Sequence, residues 1–349
     1  MRQRSCDMHQ VTRKSETERA AISDPRDIAH RRGKTVSLRT LLVAVVALAL
    51  LFAATFLPSR DILTALQATD PAMLVLALAL HLAVFPFWVW QWHLMAAAFA
   101  PVQRRGIMAA VALSIGAKVS VSGLAGVSAG VLALKSHGGL SYSEAGSVMS
   151  FDQFLALATK LMVLMLALML APLPAAIHHG AVTLLGLAVM MVVALLYARR
   201  LELILGALAP TGAGVLSRLA AALATFLQDV ARIGTARVIL GGLALAVLKR
   251  ALEIGAALAV LNACGIMADP VAALLVVAAV SVTTLVPVMP ANLGTHSAGV
   301  FAGLILIGVP QELALAAGLL HHAVVLASSA IVAVAGLGVT ASLKRIPFR

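Results

Sequence analysis

Six charged side chains lie inside long apolar segments of the chain, where an ordinary membrane span carries leucine and valine. They are Lys118, Asp152, Lys160, Lys249, Arg250 and Glu253. A charge at the centre of a bilayer costs about 2.5–3.5 kcal/mol on insertion scales, so we expect these side chains to face a protein interior. Four cations against two acids leave an excess of two positive charges. That balance favours an anionic ligand, most simply a lipid phosphate.

The spacing of these charges also allows internal pairing. Glu253 lies three residues after Arg250 and four after Lys249, so both cations reach it from neighbouring helix faces. One carboxylate cannot neutralise both cations. Asp152 is the acid nearest to Lys160 in the sequence, although eight residues span about two helical turns. The alternative to an anion site is that Lys160 snorkels and that the other charges form a structural network.

Residues 286–308 form an apolar stretch that is broken in its middle. The residues that break it are Pro287, Pro290 and Gly294. In hydrocarbon every backbone polar group needs a partner, so broken backbone at membrane depth is buried in protein or lines a cavity. We therefore expect Asn292 and His296 to line a binding cavity. His296 would bind phosphate or move a proton, and a plain hydrogen-bonded histidine is the alternative.

A second stretch, residues 107–134, is rich in small residues and contains Lys118. Gly123 and Gly126 are its predicted backbone breaks. Such a segment forms either a close-packed helix or a re-entrant hairpin. In either case Lys118 would lie beside the break.

The two broken stretches are related by a weak internal repeat. Residues 128–131 read Ser-Ala-Gly-Val, and the same four residues recur at 297–300, an offset of 169. Counting basic residues places the span at 73–99 and the span at 238–263 in opposite directions across the membrane. The repeat therefore predicts inverted halves with two hairpins whose tips lie near 119–126 and 287–295. Chance similarity between two segments rich in small residues is the alternative.

Composition fixes the class of protein. The chain is 61% hydrophobic and 11% charged, and its mean hydropathy is +1.01. The sequence predicts an all-α, polytopic membrane helix bundle with two broken or re-entrant segments. There is no Walker loop, no dinucleotide fingerprint and no HExxH motif, so we expect no ATP motor, no cofactor and no metal. Adjacent His321 and His322 point about 100° apart on a helix, which disfavours a metal pair.

The domain organisation follows from the charge pattern. Residues 1–37 hold nine of the 26 lysines and arginines and predict a disordered basic cytoplasmic tail. Residues 38–349 form one transmembrane domain, with halves at about 71–171 and 238–340. Further spans are expected at 41–57 and 181–197, and residues 201–236 predict an interfacial amphipathic stretch. The bias of basic residues places both termini in the cytoplasm of a bacterial inner membrane, and the net charge of +12 does not indicate nucleic-acid binding.

Three places in the sequence resemble the flippase-like membrane region of lysylphosphatidylglycerol synthases and their stand-alone relatives. They are the glycine-rich residues 120–134 with Lys135 and 140–145, the run Phe151-Asp152-Gln153, and residues 290–296 leading to Gly308-Val309. His296 and Ser297 stand where the family often carries a glutamate. The resemblance implies lipid handling, with hopanoid- or glycolipid-associated relatives. It does not imply lysyl transfer, which a separate soluble domain performs in the synthases.

Together these features predict a membrane protein that binds an anionic or isoprenoid-type lipid and moves its head group across the bilayer. The alternative is a partner that does not transport lipid but presents it to a glycosyltransferase or hopanoid-pathway enzyme. An intramembrane enzyme is disfavoured, because Asp152 and Glu253 are the acids available inside the spans. The expected ligand is therefore a membrane lipid, with a lipid-modifying enzyme as a further partner.

Overall fold

The computed structural model describes residues 67–171, 232–284 and 290–343, and the single positions 186, 190 and 228. All of them belong to one compact unit, Pro58–Arg349. Several predicted features lie outside the described residues. They are the tail at 1–37, the span at 41–57, most of the span at 181–197, most of the stretch at 201–236, and Pro287.

Four helices form the first part of the described chain. They are α1 (Pro71–Ala96), α2 (Arg104–Ser120), α3 (Gly123–Gly138) and α4 (Tyr142–Leu170). Polar side chains cap the starts of three of them. The Ser122 hydroxyl at the start of α3 accepts a hydrogen bond from the Ala125 N–H over 3.2 Å. The Asp70 carboxylate accepts a hydrogen bond from the Ala72 N–H, and Ser141 and Glu144 form a reciprocal capping box. These caps satisfy backbone donors that the first turn of a helix leaves open.

Four more helices follow, again in the order long, short, short, long. They are α5 (Ala236–Ala263), α6 (Pro270–Thr283), α7 (Thr295–Ile305) and α8 (Gln311–Leu343), with a short 3-10 turn at Pro290–Asn292 before α7. Adding 169 to the residue numbers of α1 to α4 places each helix over most of its counterpart among α5 to α8. The offset noticed in four residues of sequence therefore also relates the helix boundaries.

The long helices α1 and α5 pack against each other in opposite directions. The backbone N–H of Asp70, at the start of α1, donates to the carbonyl of Ala263, at the end of α5, over 3.0 Å. At the other end of the pair, Gly241 near the start of α5 lies against Leu94 near the end of α1. Two helices that correspond under the offset of 169 are therefore antiparallel.

The shorter helices form two tight hairpins, α2 with α3 and α6 with α7. In the first hairpin the Ser114 hydroxyl donates to the Gly126 carbonyl over 2.8 Å. In the second, Gly299 of α7 lies directly against the backbone of Val280 in α6. Helix α8 in turn packs along α2, with Gly336 against Ala112. Small residues allow such close backbone approach, as is usual between helices in membranes.

The predicted fold class is confirmed. The described residues are helical and contain no strand. Three helices are long and apolar enough to cross a membrane, at Pro71–Ala96, Tyr142–Leu170 and Gln311–Thr340. Helix α5 has a similar length and carries Lys249, Arg250 and Glu253 near its centre. The inverted arrangement of the two halves remains a prediction.

One predicted break is in the wrong place. Gly126 lies inside α3 and does not interrupt it, whereas the backbone breaks between Ser120 and Gly123. A Cβ atom on Gly126 would lie 2.8 Å from the Cβ of Lys118, closer than real side chains approach. The glycine is thus needed for the close contact of α3 with α2, not for a turn.

Candidate functional site

A cavity of about 250 Å³ lies among the middle portions of the four long helices. Each of these helices contributes polar residues from near its centre, well away from its ends. The polar and charged lining comprises His81, Lys118, Asp152, Gln153, Thr159, Lys160, Lys249, Arg250, Glu253, Ser281, Thr284, Asn292, His296, His321, Ser328 and Ser329. All seven predicted substrate-binding residues are among them, so the structure brings the whole predicted set together.

A second chamber of about 380 Å³ adjoins the first. It shares Lys118, Lys160 and Trp88 with the first chamber and extends to Gly123 and Gly126 on the α2–α3 hairpin. The first chamber extends to Ala291 at the turn before α7, and Asn292 of that turn lines both chambers. Gly123, Gly126 and two residues of the turn before α7 therefore border the central space.

Lys249 is held by two partners inside the first chamber. Its Nζ atom lies 3.9 Å from Oδ1 of Asp152, and both side chains are almost fully buried. The same Nζ lies 4.8 Å from the centre of the Trp88 ring, within the range of a cation–π contact. The expected pairing of Asp152 with Lys160 is therefore corrected, because Asp152 is paired instead with a lysine of α5.

Arg250 forms the second ion pair of the cavity. Its Nη1 donates to the Glu253 carboxylate one turn along the same helix. Its Nε lies 3.5 Å from the Thr159 hydroxyl on α4, at the limit of a hydrogen bond. The Thr159 hydroxyl donates back to the Leu155 carbonyl over 2.9 Å. Arg250 thus links α5 to α4 while its charge is balanced by Glu253.

The remaining two lysines carry the uncompensated charge. Within the described part of the chain, neither Lys118 nor Lys160 has a carboxylate within ion-pairing distance. Both side chains line both chambers, and Lys118 is exposed to the open space. The excess of two positive charges predicted from the sequence therefore falls on two lysines that face one cavity.

Three histidines form a cluster on one wall. His296 Nε2 lies 2.8 Å from His321 Nδ1, and the His296 ring stacks on both His321 and His322. His322 Nε2 lies 3.1 Å from the Ala291 carbonyl and donates to it. In the described ranges, no set of three His, Cys, Asp or Glu side chains is arranged to hold a metal ion. The cluster braces the turn before α7 through the hydrogen bond that His322 donates to the Ala291 carbonyl.

That turn has unusual backbone conformations. Ala291 and Asn292 adopt φ angles of 55° and 54°, and Gly294 adopts 81°. A residue with a Cβ in the left-handed region costs about 1–2 kcal/mol, and such strain persists only where surrounding contacts hold it. The contact from His322 to the Ala291 carbonyl is one of them. Gly294 is a true break and Pro290 begins the turn, as predicted.

Several polar residues of the cavity were not predicted from the sequence, and two of them contact each other. His81 on α1 lies 2.8 Å from the Ser328 hydroxyl on α8, measured from its Nδ1. Neither belongs to the charged residues or the broken stretches from which the site was predicted. The available signal was the offset of 169, which maps His81 onto Arg250 and Ser328 onto Thr159.

Long apolar helices, two close-packed hairpins and charged residues around a central cavity define a polytopic α-helical membrane protein. The family model described as the lysylphosphatidylglycerol synthase TM region matches residues 39–333, so the chain belongs to this family. The suspected family is therefore confirmed. No curated protein and no solved structure matches the chain.

Proposed function

We propose that this protein binds an anionic or isoprenoid-type membrane lipid and moves its head group across the bacterial inner membrane, with both termini in the cytoplasm. The observation that carries the proposal is the pair Lys118 and Lys160, which face the cavity without a carboxylate partner among the described residues. Two cations without a carboxylate partner in one cavity attract an anion, and an entering phosphate forms charge-assisted hydrogen bonds with them.

The arrangement of helices supports alternating access. Inverted repeats that meet at a central site allow one half to rock against the other and expose the site to each side in turn. The antiparallel packing of α1 and α5, related by the offset of 169, fits such inversion. The hairpins α2–α3 and α6–α7 are the proposed re-entrant elements, because each has its break beside the cavity.

The same geometry argues against enzymatic chemistry. Asp152 is ion-paired with Lys249, and Glu253 is ion-paired with Arg250. Both carboxylates are engaged by cations, so neither is free to act as a general acid or base. We therefore propose that the protein is not an enzyme.

A lipid-movement assay tests the proposal. The purified protein is reconstituted into vesicles, and the loss of fluorescence of labelled phosphatidylglycerol on adding an external quencher reports its movement. Lys118→Gln and Lys160→Gln should each slow this movement by about tenfold or more, because a charge-assisted hydrogen bond to phosphate contributes about 1.5–3 kcal/mol. Neither change leaves a buried carboxylate without its cation.

Lys135→Gln is the matched control. Lys135 is exposed at the end of α3, lies over the Tyr142 ring and does not line the cavity. Its removal should leave the rate unchanged. Equal rates for the wild type, Lys118→Gln and Lys160→Gln would contradict the proposal. Lipid binding without movement would instead indicate a partner that presents lipid to a glycosyltransferase or another lipid-modifying enzyme.

A further inference from the structure

Two hydrogen-bonded links cross the cavity at positions that correspond under the offset of 169. In one link Arg250 of α5 meets Thr159 of α4. In the other, His81 of α1 meets Ser328 of α8. His81 and Arg250 differ by 169 in residue number, and so do Thr159 and Ser328. Each link joins one half of the chain to the other. The agreement involves four polar side chains in mostly apolar helices.

The hydroxyl groups of the two links are arranged in the same way. Thr159 donates to the Leu155 carbonyl of its own helix, and Ser328 donates to the Val325 carbonyl of its own helix over 2.9 Å. A hydroxyl has one proton, so each hydroxyl oxygen accepts from its partner across the cavity. Arg250 supplies an N–H at Nε, and His81 supplies one at Nδ1. This assignment satisfies all four contacts at once.

The assignment fixes the second nitrogen of His81. With the proton on Nδ1, Nε2 carries a lone pair, and no hydrogen bond to it occurs within the described part of the chain. His81 lines the first chamber, so its imidazole borders the cavity. Its counterpart Arg250 is permanently charged, whereas an imidazole gains or loses its charge near neutral pH. Arg250 therefore keeps its charge, whereas the charge of His81 can change with pH.

Charged and titratable groups from four helices act on His81, and they include His296 on α7 and His321 on α8. Glu253 and Arg250 are on α5 and Lys118 is on α2, and all three influence His81 electrostatically. Ser328 on α8 is its hydrogen-bond partner. Glu253 is already bound by Arg250. Lys118 has no carboxylate partner in the described chain, so an anion that enters the cavity meets Lys118 and His81 together.

We infer that His81 is a proton-dependent ligand for the anionic group of the lipid, and that a proton and the anion bind to this cavity together. The inference rests on the function proposed above. When phosphate enters, it neutralises the field of Lys118 and accepts a hydrogen bond from protonated Nε2 of His81. By linkage, each ligand then strengthens the binding of the other. Proton binding at His81 accordingly makes the affinity for the lipid depend on pH.

The test measures binding of short-chain phosphatidylglycerol to the purified full-length protein in detergent, at pH 5.5 and pH 8. A zwitterionic phosphatidylcholine of the same chain length serves as the reference lipid. Wild-type protein should bind phosphatidylglycerol about tenfold more tightly at pH 5.5, the ratio that corresponds to a shift of one pKa unit. His81→Asn should retain the affinity seen at pH 8 and lose the increase at pH 5.5. Asparagine still donates to Ser328, so the link between α1 and α8 is kept.

Two further variants make the result decisive. His137→Asn removes a titratable group at the end of α3 that lines neither chamber, and it should keep the full increase at pH 5.5. Lys118→Gln should weaken binding at both pH values. If the wild type binds phosphatidylglycerol and His81→Asn still binds it more tightly at pH 5.5 than at pH 8, the role of His81 is overturned and the proposed function remains intact. Absence of wild-type binding at both pH values would overturn both.

Discussion

At the scale of single residues, the cavity contains two kinds of charged side chain. Some are in ion pairs, and others have no ion-pair partner among the described residues. Lys249 and Asp152 hold each other in a buried pair, and Arg250 is bound to Glu253. Lys118 and Lys160 lack such partners in the described chain. Ion pairs of this kind maintain structure, whereas the free cations attract a ligand. Substitutions in the two groups should therefore have different consequences.

Lys249→Met should lower stability far more than it lowers lipid affinity. It leaves Asp152 buried without its cation, which costs about 3–5 kcal/mol when one member of a buried pair is removed. The double variant Lys249→Met with Asp152→Asn should recover most of that loss. Thermal unfolding in detergent, followed by tryptophan fluorescence, measures the stability of the single and the double variant. A double variant no more stable than the single one would show that the pair does not form.

At the scale of elements, the sequence predicted where the helices break but not how they pack. The prolines and glycines around 290–294 mark a broken backbone because their conformational limits are local. Gly126 was read in the same way, yet its role is set by Lys118 and Ser114 on the facing helix. A contact between two helices has no local signature, so sequence spacing alone could not distinguish the two roles.

The α2–α3 hairpin allows a matched pair of glycine substitutions. Gly126→Ala should destabilise the protein by about 1–3 kcal/mol, because the new methyl group overpacks against Lys118. Gly146→Ala, inside α4, meets open space and should stabilise its helix by up to about 1 kcal/mol. The difference in melting temperature between the two variants measures the effect. Equal shifts would show that α2 and α3 do not pack this closely.

At the scale of the whole molecule, composition indicated the class of protein and the charge count indicated an anion site. The partners of the charges could not be predicted. Asp152 and Lys249 lie far apart in sequence, as do His81 and Ser328, and the packing of helices alone brings each pair together. The offset of 169 was the one long-range signal in the sequence. It relates the helix boundaries and both cross-cavity links, so it was the signal that could have pointed to His81 where local patterns did not.

The central claim is that the middle of this membrane protein contains a water-filled, positively charged cavity, and cysteine labelling tests it most directly. Gln153 is an exposed residue that lines both chambers, and Ile331 is an exposed residue of α8 outside them. Native Cys264 gives little background, because burial raises the pKa of its thiol to about 11. Cys6 is replaced by serine.

The measurement compares Gln153→Cys with Ile331→Cys in membranes, using an anionic and a cationic water-soluble thiol reagent of equal size. We expect Gln153→Cys to react, and to react faster with the anionic reagent, because Lys118 and Lys160 attract that reagent. Ile331→Cys should stay unlabelled. No labelling of Gln153→Cys, or a faster reaction with the cationic reagent, would contradict the account.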